Sequence, residues 1–170
     1  MGFYINRDDF KGKFEIHQGM YDLNNIDFYI EKYELRYLVE MLGVELYNSY
    51  YADANAQPDH IPTDPLFKFI YEPFQYQDSF QGYDILYSYG IKEMLLGFVY
   101  FEYQKDLITQ NTLAGTVTQK SENSNGATIT LYGKYNDAVK TYQAIQYYIL
   151  KNSGSYPQFR GMGKQYAYWI

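Results

Sequence analysis

Ile91-Lys92-Glu93-Met94-Leu95-Leu96-Gly97-Phe98-Val99-Tyr100-Phe101-Glu102 is the stretch whose reading decides the fold. Ile91, Leu95, Phe98, Val99 and Glu102 recur at spacings of three and four, the period of one helix face. Met94, Phe101 and Leu107 widen the apolar arc past a single face, so the helix, expected over about 88–109, is buried on more than one side. A helix of that kind needs neighbours. Gly97 inside it costs about 1 kcal/mol relative to Ala, and a close helix crossing or a tolerated defect accounts for it equally.

The flanking segments supply those neighbours. Asn24 or Asn25 offers an N-cap with Asp27 in the first turn, where the helix dipole favours negative charge. Phe28, Leu35, Leu38, Val39 and Leu42 then mark an apolar stripe, and Gly43 fits its C-terminal cap. A short helix from Val44 to about Tyr51 follows a bend, residues 52–62 read as a loop, and Asp64-Pro65 opens a brief helix over 64–71 that stops before Pro73. Residues 73–88 read as loop. After the decisive helix, Thr116-Val117-Thr118 and Thr128-Ile129-Thr130-Leu131 have strand character and Asn125-Gly126 is a turn signal, so 111–133 reads as a β-hairpin or a long extended arm. A last helix runs over about 136–151 with Val139, Tyr142, Ile145 and Ile149 as its stripe, and Lys151, Asn152 and Gly154 stop it. Residues 1–24 read as an extended arm. The tail over 153–170 closes on Tyr166, Tyr168, Trp169 and Ile170, which is too apolar for a loose end; it docks on its own core or on a neighbour.

The bulk numbers fit one domain. At 170 residues, with 20% charged and 46% hydrophobic, the chain is globular and long enough for a core without staples. It has no cysteine, which removes disulfides, thiolate metal sites and thiol nucleophiles. Net charge is −6 with no Lys/Arg cluster longer than a pair, a poor grip for phosphates, although DNA could slide past such a surface. No apolar run approaches the ~20 residues a membrane span needs, and Asn6 spoils a myristoylation start at Gly2. Neither membrane nor export is expected. Aromatic residues make up 21% of the chain, with 23 tyrosines. One core does not comfortably hold so many rings, so either some face a partner or composition has drifted.

Motifs for chemistry fail on inspection. Gly163-Lys164 is followed by Gln165 and lacks the glycine a phosphate loop requires, and Gly161-Met162-Gly163 does not continue as a dinucleotide fingerprint. His17 and His60 lie in separate irregular segments without ligand spacing. Asp8-Asp9 and Glu31/Glu34 are the nearest acid–base pairs, and a solvated loop and helix face explain them. The expectation is a non-enzyme with no catalytic, cofactor-binding or metal residue.

Two stretches carry a resemblance. Tyr37-Leu38-Val39-Glu40-Met41-Leu42-Gly43-Val44-Glu45-Leu46-Tyr47 resembles the aromatic-leucine, Leu-Gly, Leu-Tyr pattern near the start of tailed-phage head–tail connector (adaptor or head-completion) proteins. Gly90-Ile91-Lys92-Glu93 opening a ring-rich helix, then Gly115-Thr116-Val117-Thr118-Gln119-Lys120 and Ser124, is similar to the connector helix and following arm of Bacteroidetes phages, including the crAss-like group. The likeness covers 25–152. It departs in the long helix, Ala-rich in those proteins and here carrying Phe98, Tyr100, Phe101 and Tyr103, and in the two terminal segments, which have no counterpart.

The segments read along the chain give a mainly α fold, which the resemblance implies is a small helical bundle, with a long extended arm or β-hairpin between its last two helices and extended N- and C-terminal arms. Its parts would be an N-terminal arm over 1–24, a helical connector domain over 25–152 with the arm or hairpin at 111–133, and an aromatic tail over 153–170. The resemblance further implies a virion protein, made in the host cytoplasm, that rings with copies of itself, usually twelvefold, at the head–tail interface. The ring sits beneath the portal protein, extends the channel through which DNA passes without sequence-specific binding, and docks other tail or connector ring proteins. Candidate contact residues are Gly115, Val117, Thr118, Gln119, Lys120 and Ser124 in the arm, and Tyr156, Tyr166, Tyr168, Trp169 and Ile170 in the tail. The rival reading is a tail-associated protein- or carbohydrate-binding module, which predicts a monomer with one aromatic cleft.

Overall fold

The computed structural model describes residues 2–16, 24–77, 85–108, 111–112, 115–116 and 124–167. The fold is mainly α, a small bundle with antiparallel hairpins, as the helical periods require.

Helix α1 (Asn24–Leu42) packs on α4 (Ile91–Ile108), and α4 packs most extensively on α5 (Ser124–Lys151), so α4 is central. Ile91, Met94, Leu95, Leu96, Phe98, Val99, Phe101 and Tyr103 are all buried, which places α4 against neighbours on more than one side. Gly97 faces α5 at close range. A Cβ added there would lie 2.9 Å from the Ala138 Cβ and 3.3 Å from the Lys134 carbonyl oxygen, so the glycine marks a close crossing, not a tolerated defect.

Helix α1 is rotated from the expected stripe. Leu38 and Leu42 are buried, but Phe28 and Leu35 are 61% and 51% exposed. The inward face is Ile26, Ile30, Tyr33, Tyr37 and Met41. Tyrosine explains the difference. The Tyr37 ring stacks on Phe98 at 4.2 Å while its hydroxyl donates to Glu102 at 2.7 Å, and the Tyr29 hydroxyl donates to Asp106 at 2.6 Å. A tyrosine whose hydroxyl finds a carboxylate at the edge of the seam packs as core. The core holds far more of the rings than their number suggests: Tyr4, Tyr33, Tyr37, Tyr50, Tyr103, Tyr142 and Tyr156 are all buried.

Between α1 and α4, α2 (Val44–Asn55) turns back at Gly43, and α3 (Pro65–Tyr71) starts on Asp64, whose carboxylate accepts from the Leu66 N–H at 2.8 Å. Residues 73–88 are not all loop. Strands β1 (Phe74–Gln77) and β2 (Ile85–Ser88) pair antiparallel, Phe74 opposite Ser88 and Gln77 opposite Ile85, and β2 rests on α5. The polar–aromatic alternation of Phe-Gln-Tyr-Gln is a half-buried strand pattern, obscured by Tyr and Gln reading as loop composition.

Past α4, β3 (Asn111–Thr112) and β4 (Gly115–Thr116) form a short antiparallel pair. The expected strand at 128–131 and turn at Asn125-Gly126 are corrected: both lie inside α5, which begins at Ser124. Strand propensity in Thr-Ile-Thr is a weak preference. It yields because Leu131 is buried while Tyr132 and Tyr135 meet Phe101 at 5.5 and 4.6 Å, contacts that need a helix lying along α4.

In the described part of the expected N-terminal arm, residues 2–16, the chain forms two 3-10 turns, Arg7–Asp9 and Gly12–Phe14, with Tyr4, Ile5, Phe10 and Phe14 buried in the core. No helix among the described residues is long and apolar enough to cross a membrane.

Candidate functional site

An α-helix leaves its last four carbonyls without internal partners. At the end of α1 they are all met, and the way they are met creates a groove. Gly43, at φ +81, stops the helix and its N–H closes on the Val39 carbonyl at 2.9 Å. The Leu42 carbonyl accepts from the Arg160 N–H at 3.2 Å and the Glu40 carbonyl from the Met162 N–H at 2.7 Å. The Met41 carbonyl accepts from the Gln146 Nε2 of α5 at 2.9 Å. The tail therefore caps α1, lying between its last turn and α5.

Helix α5 supplies the opposite wall. Tyr142 Oη and Gln146 Nε2 both donate to the Met162 carbonyl, at 2.6 and 2.9 Å, and Gln143 Nε2 donates to the Lys164 carbonyl at 2.7 Å. Asn136 clamps Ala167 from both sides, its Nδ2 donating to the carbonyl and its Oδ1 accepting the N–H, each at 2.9 Å. The tail thus runs back along α5 as an extended peptide read at its backbone. At Gly161 no side chain fits, because a Cβ would collide with the Met41 carbonyl oxygen and sit 2.7 Å from Gln146 Nε2.

Lys164 occupies the floor. Its ammonium is 4.2 Å from the centre of the Tyr37 ring, 5.4 Å from Phe98 and 5.5 Å from Tyr142, and 2.8 Å from the Glu40 carboxylate. Only 14% of its side chain is exposed. Burial alone would raise the Glu40 carboxyl, but the hydrogen bonds from Lys164 and Arg36 outweigh it and hold the group below its usual value. Burial pushes the Tyr37 and Tyr142 hydroxyls up, aided by Glu102 for Tyr37 and Glu40 for Tyr142, so both stay neutral donors.

A second surface lies where β2 meets α5. An open cleft of about 450 Å³ is lined by Ile85, Tyr87, Tyr89, Lys140, Gln143, Tyr147 and Tyr166, among others. Ile85, Tyr87 and Tyr89 are about half exposed. With Phe28 and Leu35 on α1, they put exposed apolar groups on two elements, α1 and β2, that both pack on the α4–α5 pair.

The expected contact residues fare unevenly. Gly115 lies in β4 opposite Thr112, and Ser124 opens α5. Val117, Thr118, Gln119, Lys120, Tyr168, Trp169 and Ile170 lie outside the described residues, as does His17. Tyr166 lines the aromatic cleft. Tyr156 is 2% exposed and its hydroxyl donates to the Leu66 carbonyl at 2.9 Å, an anchor within its own chain. The described part of the tail lies on its own core. Sequence reasoning missed Glu40, Gln146, Gly161 and Lys164. The available signal was Asn136, Gln143 and Gln146, amides on helical spacing beside an apolar stripe, followed by a Gly-x-Gly-Lys segment that could lie against them.

Of the acid–base candidates, Asp9 and Glu34 are engaged in contacts within the fold. Asp9 accepts from the Asn6 N–H at 2.9 Å and pairs with Lys92 at 2.7 Å, while Glu34 accepts three backbone N–H groups from Phe3, Tyr4 and Ile5 at 2.8, 3.1 and 3.0 Å. His60 packs on Phe3, ring centres 4.0 Å apart, with a left-handed backbone (φ 56). Among the described residues no group of three or more metal-ligating side chains is placed to hold an ion. No known protein family, no curated protein and no solved structure matches the chain.

Proposed function

We propose that the chain is a structural virion subunit that rings with copies of itself between the portal and the tail of a tailed phage, extends the DNA channel and docks tail proteins, and is not an enzyme. The observation that carries this is the pair of exposed apolar flanks, Phe28 and Leu35 on α1 and Ile85, Tyr87 and Tyr89 at β2, on two elements that both pack on the α4–α5 pair. A head-to-tail interface needs two different surfaces on one subunit, and it closes into a ring when the rotation between copies divides a full turn. The residues that resemble connector proteins support the same reading: Tyr37 to Tyr47 spans the α1–Gly43–α2 joint, and Gly90 to Glu93 opens α4. The arm over 115–124 remains the proposed contact with the portal or a neighbour.

The rival, a tail-associated protein- or carbohydrate-binding module, is favoured by the tyrosine-lined cleft at β2. Electron microscopy of the protein co-expressed with the portal protein of the same genome separates the two. A closed ring seated on the portal is the expected result. A free monomer beside an unchanged portal overturns the connector reading and directs attention to glycans and tail proteins as ligands of the cleft.

A further inference from the structure

We infer that the cleft between β2 and α5 is a strand-addition site: an extended, acid-bearing segment of a partner protein pairs with the free edge of β2 and lies along α5. The source of that segment, a docking tail protein, rests on the connector reading. The site rests on the geometry of the edge.

Strand β2 has one paired edge and one open edge. Its ladder to β1 sets Ser88 opposite Phe74 and Leu86 opposite Tyr76, and among the described residues no third strand joins the pair. One residue past the strand, the Tyr89 N–H faces away from β1 and donates to Thr141 Oγ1 of α5 at 3.2 Å. Alternate residues of a strand aim their backbone groups at the same side. Ser88 and Leu86 therefore bond to β1, while Tyr87 and Ile85 turn N–H and C=O towards α5. Among the described residues no hydrogen bond outside the ladder reaches either of them. The cleft sits on this edge. Leu86 and Tyr87 both line it, although successive side chains point to opposite faces of a strand, so it opens at the rim of the sheet and not over one face.

The opposite wall is a single face of α5: Lys140, Gln143, Ala144 and Tyr147, with the small Ala144 leaving room between longer neighbours. The slot holds about 450 Å³, and a partner strand as long as β2 spans roughly 13 Å. The chain's own tail does not run into it. From Gln143, which bonds Lys164, the tail goes on to Asn136, which bonds Ala167, away from the Tyr147 end. The edge is also unguarded. Ile85-Leu86-Tyr87-Ser88 has neither the charge nor the proline that blunts most edge strands. When a peptide adds to such an edge, main-chain pairing supplies affinity and the flanking side chains select. Here they select by charge. Lys140 lines the slot, Lys13 lies 5.7 Å from the centre of the Tyr89 ring, and Lys151 lies 5.2 Å from that of Tyr147. Asp137 and Glu93 pair with Lys140 and Lys13, but no described lining residue is acidic. On a chain of net charge −6, a slot rimmed by three lysines favours an acidic segment.

Amide exchange in the full, nitrogen-15-labelled chain reads the edge directly. The probe is a blocked peptide of alternating valine and glutamate, set against its lysine counterpart. Strand addition predicts that the glutamate peptide slows exchange about tenfold at Ile85 and Tyr87 and leaves Leu86 and Ser88, already bonded to β1, unchanged. The lysine peptide should give no such protection. Lys140→Glu, at an exposed position, should weaken the glutamate peptide roughly fivefold. Tyr87→Pro removes one outward N–H while leaving the ladder to β1 in place; it should abolish the protection of Ile85, with Leu86 and Ser88 keeping theirs as the check on folding. Binding that leaves Ile85 and Tyr87 unprotected overturns the inference, and so does an absence of binding at about 1 mM peptide. The two readings fail separately. A ring seen on the portal whose edge ignores the peptide keeps the connector and removes the strand site, whereas protection in a chain that never rings keeps the site and removes the tail protein as its partner.

Discussion

The N-terminal segment and the C-terminal tail both lie on α1, yet they are held by opposite chemistry. The first sinks Tyr4, Ile5, Phe10 and Phe14 into the core and sends three backbone N–H groups to one buried acceptor, Glu34. The second, beyond Tyr156, contributes partly buried side chains and is held through its backbone by amides, a hydroxyl and helix-end carbonyls, plus one caged ammonium. Apolar burial supplies most of the free energy of docking, whereas exchanging water for protein hydrogen bonds yields about 1 kcal/mol apiece. The arm is therefore an integral part of the bundle, and the tail is a latch whose specificity exceeds its strength.

Breaking the arm should do the most damage. Glu34→Ala leaves three N–H groups without their acceptor, two of them buried, and at about 1–3 kcal/mol for each buried orphan the chain should lose roughly 3 kcal/mol or more, read as a lower urea midpoint for the whole molecule. If only the exchange of residues 3–5 changed while the midpoint held, the arm would be a latch too. Gly161→Ala comes next. Overpacking against the Met41 carbonyl should cost about 1–3 kcal/mol, confined to the tail. Amide exchange should accelerate at Met162 and Ala167 and stay unchanged at Tyr4 and Ile5.

Acid should separate the two segments by sign. The Glu34 carboxyl is raised above its ordinary 4.5, burial outweighing the three N–H bonds. Its contribution is full below the unfolded value and fades as pH rises through the folded one. The Glu40 carboxyl is lowered, so its contribution is full above 4.5 and fades as pH falls through the lower folded value. Acidification from neutral should therefore loosen the tail while favouring the arm, seen as earlier proteolysis at Arg160 and no loss of protection at Ile5. Simultaneous release would erase the distinction. The smallest effect belongs to Lys164→Met, which keeps the stem and removes the ammonium. A partly exposed pair and its ring contacts are worth about 1 kcal/mol, so the unfolding midpoint should barely move while the acid sensitivity of the tail disappears.

Much of the bundle was legible because its signals are local. The α4 stripe from Ile91 to Glu102, the Asp64-Pro65 start, the Gly43 bend and the Val139–Ile149 stripe all follow from helical period and capping, which short windows contain. The errors share one cause. Tyrosines pack as core on partners that are remote in sequence: Tyr37 meets Glu102 across 65 positions and Tyr156 the Leu66 carbonyl across 90. The same remoteness hid the outward turn of Phe28 and Leu35, the strands at 74–77 and 85–88, and the helical state of 124–131.

By itself, the sequence determined that this is one helical domain with no cysteine chemistry, that α4 must be sheathed, and where three of its helices stop and start. It could also mark Gly97 as special without saying why. Only the tertiary structure decided what the ends of the chain do. The carbonyls at the end of α1 are orphans of every helix terminus, and nothing local says that Arg160 and Met162 will meet two of them. That pairing depends on α5 running back past α1 at a distance set by packing, which places Gln146 and Gly161 against the same carbonyl. Contacts of that span are chosen by the fold as a whole, because a hydrogen bond between residues a hundred positions apart forms only after every helix between them is in place.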